Sequence, residues 1–350
     1  MDTLYIDCRM GATAVKIFGA LIDVMENPNL FVYNFNKICM DGISIQRQDD
    51  ALNGVTGSQI DFIRRASDEL DPYADELDDE EESSIRRHNR RSRGLDDVID
   101  IIDAMDIKNS VADRAIRIYE NIVNAYAKAN NKASENVKLR RTGSKDVIAA
   151  VVGICFALDE LKPERVIAST VAVGNGYTRT TRGKMPIPTP EIQLLLEGKP
   201  YTAGTENGKL CDLCGAAIIA EIADEFGNLP EMSLSRLGAG FGRRTFKNGI
   251  NCVRAYLGKA LFTTADEAYI NLSAEIYDID KTALKELGNE LENIGIMSAT
   301  VSETESLNGI GGYMLNVIVS SENADAVATY ILENTDTKHV IRKLVNAYSR

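Results

Sequence analysis

The chain has 350 residues, no tryptophan and only two histidines, His88 and His339. So few imidazoles remove the commonest metal ligand and the commonest general base from most of the sequence. No Ser-His-Asp, paired-carboxylate or P-loop arrangement points to a specific reaction. Six cysteines are too few for a disulfide-stapled scaffold. Cys8, Cys39, Cys155 and Cys252 lie in or beside apolar runs, where thiols behave as small buried hydrophobes. No run of 18 apolar residues is present, so no membrane span is expected. The N-terminus lacks a basic region followed by an apolar signal stretch, and a cytoplasmic location is expected. Positive charge is also short: 39 Lys and Arg stand against 52 Asp and Glu, for a net charge of −13. That balance disfavours general nucleic-acid binding but leaves room for a local patch that holds a nucleotide or another anion.

What remains is ordinary for soluble globular protein, 44% hydrophobic and 26% charged. The length fits two or three domains. The pattern predicts an α+β protein: an N-terminal mixed α/β domain over residues 1–262, followed by a C-terminal ferredoxin-like domain over 268–350. Residues 3–8 read as a strand, Gly11 as a turn, and 15–25 as a helix with an apolar stripe. A turn there can lodge an anion at a helix N-terminus, although the G-x-G-x-x-G spacing is absent. Two short strands are expected around 30–36 and 43–47. Ten acidic residues lie between Asp68 and Glu82, and five arginines lie between Ile85 and Arg93. This block reads as a charged mobile insert at 66–93, either linker or lid, or as an anion-binding arginine loop. Helices are expected over 95–131 and 147–161, the latter stopped by Pro163. A strand should follow at 165–173, then rigid proline-rich loop, short helices after 190 and 213, a glycine-rich turn at 237–242, and a strand from Cys252. Beyond a boundary near 260–267 the order is strand, helix, strand, strand, helix, strand, which is the ferredoxin-like order.

Four glycine-marked segments carry further information. They are DCRMGATAVKIFGAL at 7–21, SRGLDDV at 92–98, KLRRTGSKD at 138–146, and TRGKMPIPTP at 181–190. In this order and spacing they resemble the signature segments of the LarC-type nickel insertion family, and the likeness covers almost the whole chain. It implies relatives that insert nickel into a pyridinium bis-thiocarboxylate mononucleotide, using CTP with a divalent metal (Mn or Mg). It also implies a C-terminal domain longer than the one present here.

Carried over by position, the resemblance shows a systematic loss of metal donors. Where the family usually has Ser-Gly-Asp-Met, this chain has Thr13, Ala14, Val15 and Lys16, so the carboxylate is gone. Its His-Arg-His-Leu is Ser92, Arg93, Gly94 and Leu95 here. Its His-Phe-His-Glu-x-Gly becomes Lys138, Leu139, Arg140, Arg141, Thr142 and Gly143, and its His-Gly becomes Arg182 and Gly183. The cations Arg93, Lys138, Arg140, Arg141, Lys145 and Arg182 would repel Ni²⁺ and suit phosphate or carboxylate, or else they are surface charge. Gly11, Gly143 and Gly183 would let backbone approach a ligand. Asp7 is either a cation ligand or a turn cap. Cys211 matches a family cysteine, and Cys214 adds a C-x-x-C that is either a soft-metal or redox pair or two adventitious thiols. Two functions follow as expectations. One is a divergent homologue that binds a phosphorylated, nucleotide-like cofactor. The other is a non-catalytic assembly protein that joins a protein partner or a second copy through the C-terminal domain.

Overall fold

The computed structural model describes residues 2–64, 93–139, 141–180, 183–247, 249–260, 268–277, 279–306 and 308–346. The charged block at 66–93, apart from Arg93, lies outside the described residues, as do His88, Arg140 and Arg182. The chain divides into two compact units, Met1–Leu261 and Phe262–Arg350.

The first unit is built on a mixed seven-stranded sheet. Its strand order is Glu225–Phe226, Arg165–Ala168, Asp2–Asp7, Cys252–Ala260, Met232–Phe241, Val55–Arg64 and Ile43–Leu52. Asp2–Asp7 lies parallel to Arg165–Ala168 and antiparallel to Cys252–Ala260. Alternation sends Leu4 and Ile6 into the main core and leaves Tyr5 and Asp7 on the other face. Among the described residues this unit has seven α-helices: α1 (Ala14–Asp23), α2 (Pro28–Ile38), α3 (Leu95–Asp103), α4 (Asn109–Asn130), α5 (Lys145–Leu161), α6 (Pro190–Leu195) and α7 (Leu213–Ile222). Ile17, Phe18 and Leu21 of α1 share the core with Ile148, Val151 and Cys155 of α5.

Two expectations need correction. Residues 30–36 are not a strand but the middle of α2. The Asn27 side chain accepts the Leu30 N–H at 3.0 Å, and Pro28 opens the helix, a start signal that the apolar run FVYNF obscured. The four-residue spacing of Phe31 and Phe35 puts both rings on one face, 6.2 Å apart, where they meet Phe18 and Phe156. Residues 237–242 are likewise no glycine turn, because strand Met232–Phe241 runs through most of them. The glycines there serve a close approach. A Cβ at Gly240 would stand 2.0 Å from the Lys16 carbonyl oxygen, and one at Gly238 would stand 2.5 Å from that of Ala20. The missing side chains let α1 lie directly on the sheet.

In the second unit a four-stranded antiparallel sheet has the order Ile296–Glu305, Gly311–Ser320, Ala268–Ile276, Ile341–Asn346. Helices α8 (Lys281–Ile294) and α9 (Ala324–Asn334) connect its strands in sequence. Asp280 caps α8 by accepting the N–H groups of Thr282 and Ala283, and Gly295 closes it in the left-handed region. Leu287 and Leu291 of α8, and Val327 and Ile331 of α9, bury against Leu272, Leu315 and Val317. Among the described residues no helix is long and apolar enough to cross a membrane.

Candidate functional site

Three of the longer helices of the first unit begin at one place. Thr13 caps α1, Ser144 precedes α5 and Asp212 caps α7, and the first residues of all three helices line a single cavity of about 930 Å³. Thr13 Oγ1 accepts the Lys16 N–H at 3.4 Å, and Asp212 Oδ1 accepts the Gly215 N–H at 2.6 Å. Among the described residues no side chain caps α5, whose first turn carries Asp146. Strand Val55–Arg64 supplies Ile60, Phe62 and Arg64, and the segment after strand Met232–Phe241 supplies Arg243, Arg244 and Phe246.

The lining is cationic although the chain as a whole is acidic. Lys16, Arg64, Lys138, Arg141, Lys209, Arg243 and Arg244 face it, against only Asp146, Glu191 and Asp212. Arg64 pairs with Asp146 at 3.1 Å and Arg243 with Asp61 at 2.6 Å. Arg244 donates to the Asn207 carbonyl at 2.7 Å and lies 5.6 Å over the Phe246 ring. Lys138, Arg141 and Lys209 have no carboxylate partner among the described residues. Phe62, Phe241 and Phe246 give the cavity an aromatic wall.

Lys16 sits on the floor with 2% of its surface exposed. Its Nζ donates to the Met10 carbonyl at 2.9 Å and to Asn251 Oδ1 at 3.0 Å, both neutral acceptors. Burial drives its pKa down from 10.5 to about 8.

The expected site residues separate into two groups. Lys138, Arg141, Cys211 and Cys214 all line the cavity. The other described ones make contacts nearby or elsewhere. Arg93 bridges to Leu139 by backbone hydrogen bonds and donates from its guanidinium to the Gly143 carbonyl at 2.7 Å. Gly143 packs under Leu139, and Lys145 reaches the Asp41 carbonyl at 3.3 Å. Gly183 has φ +107° in the hairpin formed by Tyr177–Thr180 and Gly183–Pro186. Gly11, at φ +89°, admits the Leu210 carbonyl where a Cβ would stand 2.0 Å from it, and so pins the 8–12 turn beside the Cys211 segment. Asp7 lies across the sheet, hydrogen-bonded by Arg9 at 2.7 and 2.9 Å and by Arg254 at 2.7 Å. Burial raises its pKa, but the two guanidinium groups outweigh that and hold it below the ordinary carboxylate value.

Among the described residues the donors present do not converge as a cage for a divalent metal. Cys211 and Cys214 are buried, and burial, followed by the nearby Asp212 charge, pushes both thiols up. Asp146 gives one oxygen to Arg64 and leaves Oδ1 buried without a partner, and a single oxygen beside a guanidinium holds no ion by itself. Among the described residues no group of three or more His, Cys, Asp or Glu converges.

Sequence reasoning missed Lys16 as a site residue, along with Asn251, Lys209, Arg243 and Arg244. Lys16 had a signal, being a lone charge on the apolar stripe of α1. The Arg243–Arg244 pair directly after a glycine-rich stretch was another.

A family model described as "Nickel insertion protein" matches residues 4–346. The chain is 27% identical over 351 residues to "Pyridinium-3,5-bisthiocarboxylic acid mononucleotide nickel insertion protein" of Acetivibrio thermocellus, a match spanning 99% of this chain and 83% of that protein. A protein of the same name from Geobacillus kaustophilus is 25% identical over 346 residues, covering 96% of this chain and 81% of that one. Among solved structures, the C-terminal domain of a cyclometallase involved in synthesis of the NPN cofactor of lactate racemase matches 23% of this chain and 55% of that one. That match has 19% identity and a TM-score of 0.22, too low to bear on the fold.

Proposed function

Because this chain belongs to the nickel insertion protein family, we propose that it is a divergent member that binds a phosphorylated, nucleotide-like ligand in the cavity and does not insert nickel. One observation carries the reading: Lys138, Arg141 and Lys209, without carboxylate partners among the described residues, stand with the uncapped start of α5 around one cavity with an aromatic wall. Helix N-termini and guanidinium groups bind phosphate oxygens, and a ring face takes a base. Side-chain cations here supply the positive charge that a metal would otherwise bring. CTP with Mg or Mn, implied by the resemblance, belongs to this reading only through its phosphates, because no group of three or more His, Cys, Asp or Glu among the described residues could cage the ion.

The test is calorimetric titration with pyrophosphate and with CTP, each with EDTA and with Mg²⁺, alongside Ni²⁺ retention on reduced protein. Binding that persists in EDTA, with no nickel retained, is the expected result. Stoichiometric nickel lost on Cys211→Ser or Cys214→Ser would overturn the reading and restore a thiolate site.

A second reading, assembly, has one observation in its favour. We read the second unit, residues 268–350, as ferredoxin-like from its strand order and its two connecting helices. The ten-residue strand Ile296–Glu305 is paired on one side only and is exposed along most of its length. Its free backbone groups offer an edge to a second copy or a protein partner. Light scattering of the full chain tests this, and a monomer at all concentrations would remove the second copy.

A further inference from the structure

We propose that Lys16 forms an imine with the carbonyl group of a phosphorylated aldehyde or ketone held in the cavity. The proposal rests on the anion reading of that cavity and adds an activity to it. Lys16 and Asn251, the two ends of a 3.0 Å hydrogen bond, both line the cavity, so the amine lies where a ligand is held. Both groups that receive hydrogen bonds from Nζ are neutral, a carbonyl and an amide oxygen. No carboxylate locks the ammonium as charged, whereas structural buried lysines are ordinarily paired. Asn251 is itself fixed, since its Nδ2 donates to the Arg244 carbonyl at 2.9 Å. The amine is therefore oriented and desolvated, and desolvation outweighs the nearby Asp212 charge, the condition that makes a lysine nucleophilic.

With a pKa near 8, against 10.5 for an ordinary lysine, about half of the amine is neutral at pH 8. That is roughly 150 times the neutral fraction of an exposed lysine. The chemistry balances without an oxidant or reductant. The Nζ lone pair attacks the carbonyl carbon, and the carbonyl oxygen takes a proton to give a carbinolamine. Loss of the second nitrogen proton with the hydroxyl, as water, leaves C=N. Arg141, Lys138 and Lys209 hold the phosphate meanwhile.

The experiment uses pyridoxal 5′-phosphate as the probe and pyridoxal as its control. The full chain is incubated with each, reduced with borohydride, and mapped by peptide mass spectrometry, with and without inorganic pyrophosphate. The expected adduct lies on Lys16 in higher yield than on any exposed lysine. It should rise as pH passes through 8, fall with pyridoxal, and fall again with pyrophosphate. In Lys16→Met that adduct disappears while the other sites keep theirs. The map is read on the wild-type protein, so a poorly folded variant does not decide the matter. Adducts confined to exposed lysines, with pyrophosphate still bound in calorimetry, would overturn the imine and leave the anion site standing. A Lys16 adduct indifferent to phosphate and pyrophosphate would instead overturn the phosphorylated ligand and the anion reading together.

Discussion

Replacing Lys16 with methionine should alter stability by an amount that depends on pH. The lysine is 2% exposed, and burial lowers its pKa from 10.5 to about 8. An unfolded chain keeps the proton up to about 10.5, while the folded chain gives it up near 8. Between these values the unfolded state binds more protons, so wild-type stability rises with pH. The shift corresponds to ~3 kcal/mol, present in full as a penalty below pH 8 and gone above 10.5. Methionine has similar length and no titration. It forfeits the hydrogen bonds to Met10 and Asn251, a loss of about 1–3 kcal/mol for each stranded group that is much the same at every pH. Burial keeps the thiols of Cys8 and Cys211 protonated through this range with or without the Lys16 charge that lowers both, so their titration cancels in the comparison. The variant should therefore lose ~3 kcal/mol relative to wild type on going from pH 7 to pH 10.5. Urea unfolding at steps across that range measures it. A wild-type-minus-variant difference that stays flat with pH would refute the buried, charge-penalised amine.

Other predictions concern neighbouring features. Lys138→Glu or Arg141→Glu should weaken pyrophosphate binding by about 10- to 100-fold, the worth of a charge-assisted hydrogen bond, and unchanged affinity in calorimetry would remove that residue from the anion site. Gly240→Ala forces a Cβ to 2.0 Å from the Lys16 carbonyl, and should lower unfolding free energy by about 3 kcal/mol or more. A urea midpoint within error of wild type would contradict the close packing of α1 on the sheet. Cys211 and Cys214 should resist a disulfide reagent at pH 8 in the native protein and react after unfolding, whereas rapid native reaction would mean accessible thiolates. Phe35→Ala empties the centre of the four-phenylalanine cluster and should cost about 3–5 kcal/mol, read as a drop in melting temperature.

Much of the layout was legible in the amino acids. The long apolar run of α5, stopped before Pro163, and the alternation around Ala268–Ile276 are strong signals, and local chemistry and tertiary packing agree there. The failures have physical causes. At 30–36 a run of β-favouring aromatics overrode an asparagine–proline start, and long-range contacts with Phe18 and Phe156 decide the outcome. At 237–242 glycine was taken for a turn former, when its use is to make room for a helix distant in sequence. Of the residues that line the cavity, Lys138 and Arg141 were legible because they stand in a recognisable segment. Asn251 and Lys209 were not, because what makes them neighbours of Lys16 is the meeting of Cys252–Ala260, α7 and α1, and no local pattern records it. Asp7, open to reading as a cation ligand or a turn cap, is hydrogen-bonded by Arg9 and Arg254, and Arg93, open to reading as a phosphate ligand or surface charge, donates to the Gly143 carbonyl.

The glycines under α1 bear on how such a protein can change over time. Where one backbone rests on another at Gly238, Gly240 and Gly11, any added carbon atom collides with a carbonyl, so these positions have almost no freedom to vary. The tips of the side chains around the cavity carry no such restriction. Change is thereby channelled: the frame stays still while the groups at those tips are free to be exchanged. An ancestral scaffold can in this way keep its outline and come to hold a different kind of ligand.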